Sequence, residues 1–500
     1  MFLNYRINNY EDLIIYIPMN IKKGDLIELS ITKYAFEGKG IAKISKDKLL
    51  GKENSSTEEN YVVFVQNSYP GDKVKARLLK IKNSYSEAVA TEILKSSEYR
   101  TEPKCKFFSV CGGCKQQDLD YDKQLEYKQQ QVEEVFHNIA GLKEIKSEKI
   151  IPSDRIFEYR NKMEFSFSDV RWLTKEELQS DEKIERNFAL GFHIPKIYDK
   201  VLDIDECFLQ TQIANDILNF TREYFKSKNI SAYSQKTHKG FLRNLIIRQA
   251  FHTNDLMVNL VTYDDEPQLI EGYANALSEK FSQVSTLVNN INKKLSSVST
   301  GDYEKVIFGS GFIYDYIGKY KFRISSNSFF QTNTSQAEKL YQTAVDFAEF
   351  NGNEIVYDLY SGAGTITLFI SDFVRELYAF ESVNSAVEDA EFNAQLNNVT
   401  NVKFFTADLY KSFLPIVKEN KIPKPDIIII DPPRSGMHKN TVSDVITLSP
   451  KKIVYVSCNP ATQARDVKLF LDAGYKFIKM KPVDMFPHTY HIENVVLLTK

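Results

Sequence analysis

Cys458, Asp431 and Glu493 are the residues of this chain whose types and placement could do covalent chemistry. A thiolate is a strong nucleophile, and a carboxylate can take the proton that such a reaction releases. A lone cysteine is more often a small buried hydrophobe, so the case rests on its surroundings. Asp431 closes the run PDIIIIDPPR, Cys458 lies in VYVSCNP, and Glu493 stands in HTYHIENVVLL. Ile427 to Ile430 run without alternation, the pattern of a strand buried on both faces. In an open α/β sheet ligands bind at the carboxyl ends of strands. Acid and thiol are therefore expected to face one crevice, with Glu493 brought in just before a last apolar strand.

The other four of the five cysteines form a second set. Cys105, Cys111 and Cys114 lie together in CKFFSVCGGC, and Cys207 follows in DECFLQ. The glycine pair lets the backbone curl round an ion. Four thiolates suit zinc or an iron–sulfur cluster. Zinc sites commonly use two CxxC knuckles; one knuckle and a distant fourth cysteine favour a cluster. A disulfide framework does not fit a large intracellular chain.

A cofactor site precedes the Cys458 region. EIVYDLYSGAGTITLFI reads as strand, glycine turn and helix, with Asp358 at the strand end and Gly362 and Gly364 in the turn. The next strand, ELYAFE, ends in Glu381, placed to bind ribose hydroxyls. VKFFTADL then ends in Asp408. Successive strands ending in acids suit a nucleoside cofactor lying across them. The turn holds threonine where the third glycine of GxGxxG would stand, which favours S-adenosylmethionine over a pyrophosphate.

Five hundred residues exceed one core, so two or three domains must position these groups. Residues 1–18 are expected to be an extension. Residues 19–95 carry short alternating runs (GDLIELSIT, GIAKIS, YVVFVQ, DKVKARLLKIK, EAVATEIL) and predict a small β-barrel, with polar 46–60 as a loop. Lys73, Lys75, Arg77, Lys80 and Lys82 make one hairpin basic, either a solvated face or an RNA backbone contact. Residues 96–320 read as an α+β domain. Within it Tyr121 to Asn138 predicts an amphipathic helix on Leu125, Val132, Val135 and Phe136, and 282–305 reads as helical or variable. Residues 321–500 form the last domain. The net charge of −2 and ordinary composition suit a soluble cytoplasmic protein. No run reaches membrane-spanning length, and the N-terminus lacks a signal-peptide pattern.

FFQTN (329–333), DLYSGAG (358–364), DPPRSG (431–436), SCNPAT (457–462) and HIENV (491–495) together resemble the RNA uracil-C5 methyltransferase family. The cysteine pattern and an N-terminal stretch similar to a TRAM domain extend the likeness to nearly the whole chain, and resemble the 23S ribosomal RNA branch. The resemblance implies an oligonucleotide-binding-like barrel, a cluster-bearing α+β domain and a Rossmann-like methyltransferase domain. It implies Cys458 as nucleophile and Glu493 as the base removing the C5 proton. Gln331, Tyr360, Glu381 and Asp431 match positions binding S-adenosylmethionine or the target base, and Asp408 the acid near the adenine. Cys105, Cys111, Cys114 and Cys207 match the ligands of a [4Fe–4S] cluster. The same reaction on tRNA is the nearest rival. An amino-methyltransferase would use [ND]PP[YFW] and need no thiol, and a non-catalytic RNA-binding protein would not need the nucleophile, base and turn together.

Overall fold

A computed structural model describes residues 22–45, 60–181, 183–195, 197, 199–295 and 301–500. The expected 1–18 extension and nearly all of the 46–60 loop lie outside the described residues. The chain divides into two compact units, one ending at Arg100 and the other running Thr101–Lys500. Among the described residues no helix is long and apolar enough to cross a membrane.

The first unit is a six-stranded sheet. Its order is Leu26–Ser30, Lys73–Ile81, Tyr85–Lys95, Asn60–Gln66, Lys39–Ser45, Lys33–Ala35. Alternation along the strands buries Ile27, Leu29, Val63, Val65, Val74, Ala76 and Leu78 in one core. Lys73 and Arg77 take the opposite, exposed face. Lys73 pairs with Glu28 at 3.0 Å, so part of the basic hairpin is neutralised locally.

In the second unit an eight-stranded mixed sheet runs from Tyr303–Phe308 at one edge to Arg171–Trp172 at the other. The 282–305 stretch, expected to be helical or variable, instead supplies the strands Val284–Ile291 and Tyr303–Phe308. Val284, Leu287, Val288 and Ile291 are all buried, the first two in the core of this sheet, and tertiary burial overrides local ambiguity.

The sheet that positions the chemistry has seven strands. They are β1 (Ile355–Leu359), β2 (Glu376–Glu381), β3 (Val402–Thr406), β4 (Ile427–Ile430), β5 (Lys452–Ser457), β6 (Lys476–Val483) and β7 (Glu493–Thr499). Their order is β3-β2-β1-β4-β5-β7-β6, with β7 antiparallel to both neighbours and β3 to β5 mutually parallel. Alternate residues feed two cores. Val356, Ile427, Ile429, Val454 and Val456 pack on the side of helix Thr334–Ala348. Tyr357, Ile428, Ile430, Ile453 and Tyr455 pack on the side of helix Pro460–Asp472. The unbroken isoleucine run of β4 is thus buried on both faces, as its pattern requires.

Helix Tyr121–Val135 ends in a π-turn, Phe136–Ala140, and Val132 and Phe136 enter the second of these cores. Isolated bridges Ser147↔Met480 and Ile151↔Val483 lay the following segment alongside β6. The helix also buries Gln124, Lys128 and Gln131, a stripe at helical spacing that the apolar pattern hid.

Candidate active site

A cleft of about 1120 Å³ opens over the carboxyl ends of the seven-stranded sheet. The ladder places its reactive groups. Ser457 of β5 pairs with Asn494 of β7, so Cys458 and Glu493 face each other one step beyond that pair. The register is locked from behind. Gln463 Nε2 donates to Tyr455 O at 2.7 Å and to Asn494 O at 3.0 Å, while Asn494 Nδ2 donates to Gln463 Oε1 at 2.8 Å. Asp431 arrives on the neighbouring strand, where Ile430 pairs with Tyr455. Asn459 Nδ2 donates to Arg434 O at 3.0 Å, and its side chain accepts from Ala461 N at 3.1 Å. One asparagine therefore caps the helix after the cysteine and holds the DPPR loop beside it.

The electrostatics of this corner are those of acids short of a cation. Burial pushes the Cys458 thiol up to about 12, aided by Glu493 and Asp431; Arg434 opposes through its charge and a hydrogen bond to the thiol. Burial, then Asp431, holds the Glu493 carboxyl well above its ordinary value, again opposed by Arg434. Asp431 rises to about 7 through burial and the nearby Asp358. Asp358 also rises to about 7, chiefly by burial; Thr367 donates to its Oδ2 while its buried Oδ1 has no partner. Arg434 is also hydrogen bonded to His491, whose imidazole is lowered to about 3 by burial and the neighbouring cations. A positively charged ligand entering here would meet unbalanced acids.

At the cofactor end, Gly362 and Gly364 have positive φ, and a Cβ on Gly362 would meet nothing within 4 Å. The turn therefore exposes bare backbone to the cleft. Glu381 Oε2 accepts from Gly362 N at 3.0 Å, and its Oε1 accepts from Ser382 N at 2.7 Å and Val383 N at 2.8 Å. Tyr360, itself at φ 67°, lines the same end. Exposed glycine backbone and a carboxylate at the end of β2 fit the ribose and amino-acid parts of S-adenosylmethionine.

Gln331 lines the cleft beside Phe329, which is 72% exposed, whereas Phe330 is buried in the core. Of the expected methyl-transfer and cofactor residues, Cys458, Glu493, Gln331, Tyr360, Glu381 and Asp431 are brought together. Asp408 is not: it is exposed, pairs with Lys411 at 3.1 Å, and only its neighbours Leu409 and Tyr410 reach the cleft. Arg434 and His491 were in view as part of DPPR and HTYHIEN, but no role was read for them. A cation directly after two prolines at a strand end was the available signal for Arg434.

Cys105, Cys111, Cys114 and Cys207 also line this cleft. They are close enough to perturb one another. Cys114 and Cys207 are each pushed up to about 12, first by burial and further by the other thiols. Gly113 N lies 3.4 Å from Cys111 Sγ, and Gln117 Nε2 donates to Cys114 Sγ at 3.3 Å. Yet among the described residues no group of three or more His, Cys, Asp or Glu side chains is arranged to hold a metal ion. The expected ligand set shares the cleft without forming a ligand cage.

The strand order, the glycine turn after β1 and the acid ending β2 define a Rossmann-like, S-adenosylmethionine-dependent methyltransferase. Residues 253–500 match the family described as tRNA (Uracil-5-)-methyltransferase, and residues 22–91 match the TRAM domain. The chain is 41% identical over 478 residues to an uncharacterized RNA methyltransferase of Chlorobaculum tepidum, covering 95% of this chain and 96% of the relative. It is also 41% identical over 467 residues to one of Bacteroides thetaiotaomicron, covering 93% of this chain and 99% of that one. A solved structure, the Pyrococcus abyssi tRNA (uracil-54, C5)-methyltransferase in complex with S-adenosyl-L-homocysteine, superposes with a TM-score of 0.70 at 29% identity, covering 95% of this chain and 100% of that one. The chain belongs to the RNA uracil-C5 methyltransferase family, with a TRAM domain at its N-terminal side.

Proposed function

We propose that this enzyme methylates carbon 5 of a uridine in RNA through a covalent adduct on Cys458. The observation that carries the reading is the β5/β7 register, which sets Cys458 opposite Glu493 with Asp431 alongside. Carbon 5 of uracil is too weak a nucleophile to take a methyl group unaided. Cys458 ionises, giving its proton to solvent; the thiolate Sγ adds to carbon 6, and the electron pair of the C5=C6 bond moves to carbon 5 and the adjoining carbonyl. S-adenosylmethionine supplies a sulfonium methyl and a positive charge, which offsets the crowded acids. That charge favours the ionised form of Glu493, whose carboxylate takes the C5 proton; the C6–Sγ bond then breaks and the double bond returns. Asp431, near 7, has both carboxyl forms at neutral pH and hydrogen bonds the pyrimidine edge. Gln331 and the exposed Phe329 hold the base, which must leave its stack to reach the thiol. Glu381, Tyr360 and the Gly362 backbone hold the cofactor.

The substrate we propose is 23S ribosomal RNA, on the strength of the four-cysteine set combined with the barrel. tRNA is the second reading, favoured by the name of the matching family and of the Pyrococcus abyssi relative. We further assign Cys105, Cys111, Cys114 and Cys207 as holders of a [4Fe–4S] cluster. The donor chemistry, the shared cleft and the N–H groups directed at Cys111 and Cys114 sulfur support this. Iron and acid-labile sulfide in anaerobically purified protein would test it; their absence would refute it.

The functional test is methyl transfer from labelled S-adenosylmethionine to unmodified 23S and tRNA transcripts side by side, with product nucleosides identified. 5-Methyluridine from 23S RNA alone supports the whole reading. The same product from tRNA alone moves the substrate and keeps the mechanism. Label in another nucleoside defeats the role given to Cys458. Glu493→Gln should slow turnover by about 10²- to 10⁴-fold and accumulate a denaturation-resistant RNA–protein adduct.

A further inference from the structure

The segment 484–492 joins β6 to β7, carries His491 and leads directly into Glu493, the first residue of β7. Inside it Thr489 Oγ1 donates to Phe486 O at 2.8 Å, and further anchoring comes from elsewhere in the chain. Asn333 Nδ2 donates to Met485 O at 2.9 Å, Lys128 Nζ to Phe486 O at 3.2 Å, and Tyr159 OH to Pro487 O at 3.1 Å. Lys115 N and Gln116 N donate to His488 O at 2.7 and 3.0 Å. Four successive carbonyls are therefore taken by other parts of the chain. Below them Asp484, fully buried, accepts from Lys128 Nζ at 2.6 Å and Tyr121 OH at 2.9 Å.

One side chain gathers this arrangement. Gln124 is 0% exposed. Its Oε1 accepts from His488 N at 2.9 Å. Its Nε2 donates to Gln116 O at 2.9 Å and Leu119 O at 2.8 Å, and lies 3.2 Å from His488 Nδ1. Gln116 and Leu119 lie two and five residues after Cys114, so this one side-chain amide reinforces the two backbone hydrogen bonds, from Lys115 N and Gln116 N, that join the cysteine loop to the segment leading to the base. His488 sits at φ 64°, a left-handed conformation that non-glycine residues avoid unless their surroundings impose it. Its ring lies 4.5 Å from that of Phe157, centroid to centroid, with the planes tilted by 31°. Cys458 is fixed separately, by Asn459 and by the β5/β7 ladder.

We propose that Gln124 is a positioning residue that ties the cysteine loop to the 484–492 segment, so that loosening it impairs proton removal by Glu493 while leaving cysteine addition and methyl transfer intact. The ordering of the cysteine loop and the aim of the base are then one event. The inference rests on the roles proposed above for Cys458 and Glu493.

The test uses Gln124→Met, which keeps length and apolar bulk, and Gln124→Glu, which keeps the acceptor for His488 N but loses both donors. Each is assayed in the full chain with labelled S-adenosylmethionine and substrate RNA, with Glu493→Gln as reference and melting curves to establish folding. We expect turnover to fall at least about tenfold in Gln124→Met and less in Gln124→Glu. The KM for S-adenosylmethionine should hold, and a methylated RNA–protein adduct should accumulate as in Glu493→Gln. A residue that only stabilised the fold would lower melting temperature and activity together, with no adduct. That result, or unchanged turnover in both variants, overturns the proposal if Glu493→Gln does trap adduct. Absence of adduct in Glu493→Gln itself overturns the base assignment, and this inference with it.

Discussion

Two regions of one cleft carry cysteines whose thiols are perturbed alike yet placed for different work. Cys458, Cys114 and Cys207 are all pushed to about 12, and burial is the leading cause for each. The further causes separate them. Around Cys458 they are the carboxylates of Glu493 and Asp431, opposed by the Arg434 guanidinium. Around Cys114 they are the other cysteines, opposed only by the Gln117 amide. The backbone differs too: Cys458 follows a core strand whose register fixes its partner, whereas Cys105 to Cys114 lie in a loop outside any strand or helix. A cysteine facing acids and one cation is arranged to gain and lose a proton during turnover. Cysteines facing each other raise one another's pKa and stay protonated.

The sharpest way to break this contrast is to remove one thiol from each region. Cys458→Ala should abolish turnover, by about 10⁴-fold or more, with folding unchanged and no adduct formed. Cys114→Ser should lower the melting temperature and reduce, without abolishing, methyl transfer. Equal and complete loss in both, with both folded, would mean that the cysteine loop takes part in the reaction itself.

Arg434 sharpens the comparison, because it lowers the Cys458 thiol, whereas Cys207 is opposed by Arg160 and Cys114 by no cation. A raised thiol pKa means that the thiolate fraction grows with pH. The adduct-forming step should therefore accelerate from neutral to alkaline pH. Arg434 pulls that pKa down, so Arg434→Met should move the rise to higher pH. A charge-assisted hydrogen bond is worth ~1.5–3 kcal/mol when dry, and the lower end applies because Arg434 reaches solvent. The expected loss in kcat/KM at neutral pH is about tenfold. A pH profile that keeps its position would remove Arg434 from the thiol's control.

How much of this was readable beforehand depended on whether the signal was local. The isoleucine run of β4, the glycine turn at Gly362 and the acid closing β2 each declare their structure within a few residues, because burial on both faces and positive φ restrict residue type directly. Helix Tyr121–Val135 was half readable. Leu125 and Val132 pack as the amphipathic pattern requires, but Gln124, Lys128 and Gln131 looked like its solvated side and are buried. The partners of Gln124 and Lys128, His488 and Asp484, lie more than 350 residues away in sequence, at separations of 364 and 356. Polar residues buried by distant partners leave no periodic apolar trace. The strands Val284–Ile291 and Tyr303–Phe308 were missed because the stretch joining them is polar and broke the pattern.

Asp408 supplies the smallest expected effect and separates chain order from geometry. It falls in the run of strand-end acids with Asp358, Glu381 and Asp431, and by that logic it belongs to the cofactor site. Strand β3 stops at Thr406, however, and Asp408 turns outward to Lys411, while Tyr410 N donates to its Oδ1 at 3.0 Å. Its carboxyl is held below the ordinary value first by Lys411, that is, by a surface partner. Asp408→Ala should leave the KM for S-adenosylmethionine unchanged within error. Glu381→Ala, at the strand end that does face the cleft, should raise it about tenfold or more, the cost of two lost charge-assisted hydrogen bonds at one ribose. An equal rise in the two variants would show that the loop 407–411 closes over the cofactor on binding, bringing Asp408 to the adenine side.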